Sequence, residues 1–246
     1  MTQKVLLDFS NTKSIEDSVL RSFNNKYPDL VSWVKEIQIP DEKNRQEKDD
    51  YIFDLVCNQF GNPVSEYEAV WFHATRVEDS SSFLREGILP TSMAYEKIKS
   101  HLIDLSGGLK KYGDYEHSGS SSDKKNDKDE GPFARLFKYV AFSPVGVEGN
   151  YLEMPELLQD IAGELLGGNY EQLTARFSKI SKSYVISFKD DADMTHLSRG
   201  LYYLNLIGHG YTEVDAADTA NFGGDLNAQG RNILPSQIIK IEEFCA

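Results

Sequence analysis

The stretch that most restricts what this chain can fold into is Val70-Trp71-Phe72-His73-Ala74-Thr75-Arg76, followed by Phe83-Leu84-Arg85-Glu86-Gly87-Ile88-Leu89-Pro90. An apolar run ending in a histidine, a small residue and a threonine predicts a buried strand. His73 falls at or near the inner end of that strand, with hydrogen-bonding side chains beside it. The second segment predicts an amphipathic turn that closes in Gly-Ile-Leu-Pro.

The rest of the chain sets the frame around this strand. A length of 246 residues suffices for one large or two small domains with a real core. Hydrophobic content of 40% and aromatic content of 11% place it among folded globular chains rather than disordered ones. A net charge of −13 argues against electrostatically driven binding to bulk nucleic acid or to an anionic membrane. The two cysteines, Cys57 and Cys245, lie far apart, and there is no CxxC or HExxH pattern, so free thiols in a reducing compartment are expected and a zinc site is not. The N-terminal residues lack the long apolar core of a signal peptide, and no window approaches a membrane span. These features predict a cytoplasmic protein with no membrane partner.

Residues 1–66 read as a helical extension and residues 67–246 as the main domain. Ser14-Ile15-Glu16-Asp17 resembles a capping box ahead of Val19, Leu20 and Phe23. Pro28 is expected in the first turn of a second helix. The charged run Asp41 to Asp50 reads as a solvated helix or linker. Residues 91–112 and 154–166 read as helices, the latter starting at Pro155 and ending at Gly167-Gly168, and Leu197 to Leu206 reads as another. Tyr184-Val185-Ile186-Ser187-Phe188 is a β run, and Tyr139-Val140-Ala141-Phe142-Ser143-Pro144 is expected as a short strand. The polar segment near 116–131 is expected to be a flexible loop. Short strands with interspersed helices and no regular βαβ alternation give an α+β fold.

Phe72-His73-Ala74-Thr75 with the following Gly-Ile-Leu-Pro turn resembles the first motif of the ADP-ribosyltransferase superfamily, in particular the bacterial and phage toxin type. There, a strand ending His-Gly-Thr or His-Ala-Thr holds the adenosine ribose of NAD. Gly210-Tyr211-Thr212-Glu213-Val214 is similar to the turn that precedes the family's last motif, and Ile233-Leu234-Pro235-Ser236-Gln237-Ile238 to the end of that motif's strand. The resemblance covers roughly residues 67–246. It implies a split-sheet ADP-ribosyltransferase-like core and NAD as substrate. Roles in binding NAD fall on His73, Thr75 and Arg76 from the first motif and on Tyr139, Phe142 and Ser143 from the central segment. Strict register would put Ala141 where the family has its stacking aromatic.

The family's catalytic glutamate opens the last-motif strand. Counting back from Pro235 puts Gln229 there, while an alternative register makes Glu213 the acid. Cleavage of the nicotinamide–ribose bond passes through an oxocarbenium-like state. A carboxylate near the ribose hydroxyls stabilises the developing charge and can deprotonate the nucleophile. Glutamine keeps an acceptor oxygen but loses the charge and the base. Arg76 could hold a phosphate of NAD or pair with Glu78 or Asp79.

The implied function is transfer of ADP-ribose to a protein or nucleic acid, as in an intracellular toxin or anti-phage effector, with an antitoxin or chaperone as further partner and weakened activity if Gln229 is the acid. Two rivals are an RNA 2′-phosphotransferase, which needs more basic residues, and a non-catalytic binding module. No GxSxG elbow, Walker A loop or GxGxxG is present.

Overall fold

A computed structural model describes residues 4–40, 43–115, 130–142, 151–222 and 225–245. In chain order the elements are β1 (Val5–Leu7), α1 (Thr12–Ser22), α2 (Leu30–Glu36), α3 (Arg45–Phe60), β2 (Tyr67–Val77), α4 (Ser82–Glu86), α5 (Thr91–Leu105), β3 (Phe133–Arg135), α6 (Lys138–Phe142), α7 (Glu156–Leu166), α8 (Tyr170–Ile180), β4 (Lys182–Ala192), α9 (Met194–Gly208), α10 (Glu213–Ala220), β5 (Asp225–Asn227) and β6 (Ile238–Phe244). Backbone pairing orders the strands β5–β3–β2–β4–β6, with β1 beside β2. The β1–β2 pair is parallel, and β2–β3 and β4–β6 are antiparallel. The expected α+β class is the class observed. Among the described residues no helix is long and apolar enough to cross a membrane.

Two compact units emerge, each assembled from separated segments. The first takes Met1–Phe72, Arg135–Val145 and Lys189–Asp225, and the second takes His73–Ala134, Gly146–Phe188 and Leu226–Ala246.

In the first unit, α9 is the helix on which α1, α2, α3 and α10 all pack. Its sequence explains this, because Leu197, Leu201 and Leu204 recur at helical spacing and are fully buried. Small residues set the distances of approach. A Cβ on Gly200 would lie 2.5 Å from Cζ of Phe9, and one on Gly208 would lie 2.2 Å from the Lys35 carbonyl oxygen. Asn205, buried on the same helix, donates from Nδ2 to the carbonyls of Val34 and Ile37, both at 2.9 Å, which satisfies the open C-terminal end of α2.

In the second unit, α5, α7 and α8 enclose a core of Tyr95, Leu102, Leu158, Ile161, Ala162, Leu166, Leu173 and Phe177. The Gly-Ile-Leu-Pro turn is also fixed here. Ile88 N–H donates to Ile233 O at 2.9 Å and Ile233 N–H donates to Ile88 O at 3.0 Å, so the two Ile-Leu-Pro tripeptides bind each other. Gly87 has φ +78°, and a Cβ there would lie 1.9 Å from Ile233 O, so no side chain is tolerated.

Several expectations are corrected by the structure. The cap of α1 is Asn11, which accepts the Ser14 N–H at 3.0 Å, and not Ser14 itself. The second helix begins at Leu30, after Pro28. Of the charged run, the part from Arg45 is helix, one of the two forms expected of it, and α3 begins there behind a capping box of Asn44 and Glu47. The helix expected over 91–112 ends at Leu105. Tyr139 and Phe142 lie in the short helix α6 rather than in a strand. The flexible loop expected near 116–131 lies outside the described residues apart from Glu130 and Gly131.

Candidate functional site

In the second unit, His73 sits in β2, short of its end at Val77, and is half-buried. Its Nδ1 lies 2.7 Å from Phe133 O. A carbonyl can only accept, so Nδ1 carries the proton. Burial pushes the His73 pKa below the ordinary histidine value, against the smaller opposing effect of the Phe133 carbonyl. The imidazole is therefore neutral near pH 7, with Nε2 as a lone-pair acceptor. Thr75 is half-buried two residues further along the strand.

Arg76 has a different fate. Its Nε donates to Ser181 Oγ at 2.8 Å, Nη1 to Ser183 Oγ at 2.9 Å and Leu152 O at 3.4 Å, and Nη2 to the carbonyls of Ser178 and Ser181, both at 2.9 Å. All five guanidinium donors are occupied. The expected phosphate contact is thus corrected, since Arg76 joins β2 to the end of α8 and the start of β4 with no donor left for a ligand. It does not pair with its near neighbours either, because Glu78 lies 3.2 Å from His101 and Asp79 pairs with Arg85.

Gln229 also departs from expectation. It does not open a strand, because β6 begins only at Ile238. It lies in the turn after β5 with φ 51°, exposed, its N–H donating to Asn227 Oδ1 at 2.9 Å. This left-handed conformation is followed by a second one at Gly230, φ 79°. The position is a turn position.

In the first unit the structure joins two of the expected residues. Tyr139, on α6, donates from Oη to Glu213 Oε2 at 2.5 Å. Thr12, on α1, donates from Oγ1 to Glu213 Oε1. Tyr203 Oη lies 2.7 Å from Thr12 Oγ1, and because Thr12's proton is directed at Glu213, Tyr203 is the donor of that pair. The hydrogen bonds from Thr12 and then Tyr139 hold the Glu213 pKa below the usual carboxylate range. Burial first, and then the Glu213 bond, push the Tyr139 hydroxyl upward, while burial brings Tyr203 to about 12. Glu213 is therefore an exposed, ionised carboxylate with each oxygen held by one donor and further lone pairs open.

Glu213 is the first residue of α10, whose cap is Thr212, accepting the Asp215 N–H at 3.2 Å. The helix N-terminus adds to the stabilisation of the charge. The expected turn leading to a strand is instead a helix start. Phe142, half-buried, ends α6 beneath the Lys138 ammonium, 5.3 Å from its ring centroid. Ser143 lies outside the described residues.

Thr12 and Tyr203 are the residues that sequence reasoning missed. Tyr203 lay inside an apolar helix, where the natural expectation is core. Thr12 lay in an N-terminal segment that carries no chemical motif. Two of the other described histidines serve helix ends. His196 Nδ1 accepts the Asp193 N–H at 3.0 Å, and His209 Nδ1 donates to Asn205 O at 2.8 Å while Gln38 Nε2 reaches its Nε2 at 3.2 Å. No group of three or more metal-binding side chains occurs among the described residues.

No protein-family model, curated protein or solved structure matches this chain.

Proposed function

We propose that this chain binds NAD and transfers ADP-ribose to a macromolecule, with Glu213 and not Gln229 as the working carboxylate. The observation that carries the reading is the direct bond between Glu213 and Tyr139, which are 74 residues apart in sequence. One was a candidate acid and the other a candidate nicotinamide-stacking aromatic. Their pairing fixes the tyrosine ring and keeps the carboxylate ionised. The open lone pairs on Glu213 are suited to accept ribose hydroxyls and to offset the positive charge of an oxocarbenium-like state. His73, in the second unit, offers a neutral imidazole of fixed tautomer whose Nε2 can accept a hydrogen bond from a hydroxyl. Glu213 opens a helix, whereas the family's glutamate opens a strand, so the likeness is one of chemistry at this residue and not of local structure.

The RNA 2′-phosphotransferase alternative loses support, because Arg76, one of the basic residues it requires, has all its donors occupied. Incubation of the full chain with labelled NAD and a cell lysate tests the proposal. Release of nicotinamide with transfer of label to protein, DNA or RNA is expected, and Glu213→Gln should lower both about a hundredfold. A parent chain that neither binds nor consumes NAD removes this reading in favour of a binding module.

A further inference from the structure

We infer that Thr12, from the N-terminal helix, is a positioning residue that orients the Glu213 carboxylate. The inference deepens the proposed function and rests on Glu213 being its working carboxylate.

The geometry is directional. Tyr203 is fully buried and its ring stacks on Phe137 with 5.4 Å between centroids, inside the about 4.5–7 Å typical of aromatic pairs. Its hydroxyl meets Thr12 Oγ1, and because a carboxylate only accepts, Thr12 gives its proton to Glu213 and Tyr203 is the donor of this pair. With that acceptor site filled, the single Thr12 proton is aimed at Glu213 Oε1. Tyr139 holds the other oxygen. Two donors from different helices fix the plane of the carboxylate, whereas one would leave it free to rotate about its remaining bond.

The backbone around Thr12 is built to hold this position. Asn11 caps α1. Just before it, Phe9 is fully buried, packs on Phe137 at 5.0 Å and fits against Gly200, where any side chain would collide with it. Lys138 N–H donates to Phe9 O at 3.2 Å. Thr12 is thus tied to α6 and α9, the helices that carry Tyr139 and Tyr203. The titratable groups facing the carboxylate are these two tyrosines. Glu16 on α1 acts on Tyr203, and Asp215 is the neighbouring acid on α10.

The test uses the full chain and two readouts: NMR titration of the Glu213 side-chain carboxyl, and NAD consumption as a function of pH. Thr12→Val should raise the Glu213 midpoint by about one pH unit, the size expected for losing one charge-assisted hydrogen bond. It should lower NAD turnover about tenfold through misorientation. Thr12→Ser should restore both. Tyr203→Phe, which leaves Thr12 in place but removes its upstream donor, should give a smaller rise in the same direction, and it serves in place of Thr12→Val if that variant fails to fold. A folded Thr12→Val or Tyr203→Phe chain with an unchanged Glu213 midpoint overturns the inference whatever the activity. If the midpoints move as expected but the parent consumes no NAD, the anchoring of Glu213 by Thr12 stands and the ADP-ribosyl-transfer reading alone falls.

Discussion

Arg76 in the second unit and Glu213 in the first are both charged groups held by hydrogen bonds from their own chain, yet they have different chemistry to offer. Arg76 has five donors and meets acceptors with all of them. Glu213 accepts from two hydroxyls and keeps further lone pairs. The first is a structural clamp by saturation, and the second is open to a ligand because its capacity is only part-filled. His73 belongs with Glu213 in this respect, since one ring nitrogen is fixed on Phe133 O and the other is left as an acceptor. Counting remaining capacity, more than counting charge, separates a residue that holds the fold from one that can act.

The strongest way to break this contrast is Arg76→Ala. It removes the arginine donor from three carbonyls and two serine hydroxyl oxygens, so a loss of about 4 kcal/mol is expected in chemical denaturation. Arg76→Lys should recover little of it, because a point-like ammonium cannot reproduce the planar fork. A near-neutral Arg76→Ala would show that the clamp is dispensable and reopen a ligand role for this arginine.

Glu213→Gln sharpens the other side. NAD turnover should fall about a hundredfold, the usual worth of a positioned carboxylate, with the thermal midpoint nearly unchanged. Gln229→Glu should leave turnover within a factor of about two. The reverse pattern would restore the register in which Gln229 holds the acid position.

A smaller effect tests a charge of the first unit that is neither saturated nor open. Asp49 lies 3.9 Å from Arg199, too far for a close pair, and both are mostly buried. Burial pushes Asp49 up to about 6 and Arg199 downward. A carboxyl whose folded pKa lies above its unfolded value binds a proton more readily in the fold. Stability should therefore decline as pH rises from about 4 to about 7, by about 2 kcal/mol. Asp49→Asn should flatten this slope in denaturation curves taken across that range, and an unaltered slope would show that Asp49 is not its source.

The smallest expected change is at Gln229. A non-glycine residue at φ 51° is mildly strained, so Gln229→Gly should stabilise the chain by about 0.5–1 kcal/mol and spare NAD turnover. A loss of turnover in this variant would contradict its assignment as a turn residue.

How far the sequence could be read depended on the length of each pattern. Helix α7, from Glu156 to Leu166, and the run Tyr184 to Phe188 within β4 were legible because periodicity persisted over several residues. Strands β1 and β3, three residues each, carry too short a pattern to register. Tyr139-Val140-Ala141-Phe142 reads as a strand because its aromatic and β-branched residues favour one, yet its packing against α10 makes it a helix. The α10 start was legible in principle, since Thr212 followed by Glu213 and Asp215 is a cap with acids in the first turn. The same residues also fit the family turn, which is why the helix start is easily missed in the sequence. In the same way, Asn227 and Gly230 around Gln229 were turn signals that counting back from Pro235 could not see. The alliance of Thr12, Tyr203 and Glu213 joins residues about two hundred positions apart, and no local pattern encodes such a meeting.

The mutual grip of Ile88 and Ile233 has a consequence for how the chain is born. Synthesis proceeds from the N-terminus at a few to about twenty residues per second, and the Gly-Ile-Leu-Pro turn has no partner until Ile233 has left the ribosome. Residues 87–90 therefore wait, without their closing bonds, while the intervening residues are made. The enclosed loop is long, but the entropy of closing it grows only logarithmically. The delay is thus one of timing more than of energy.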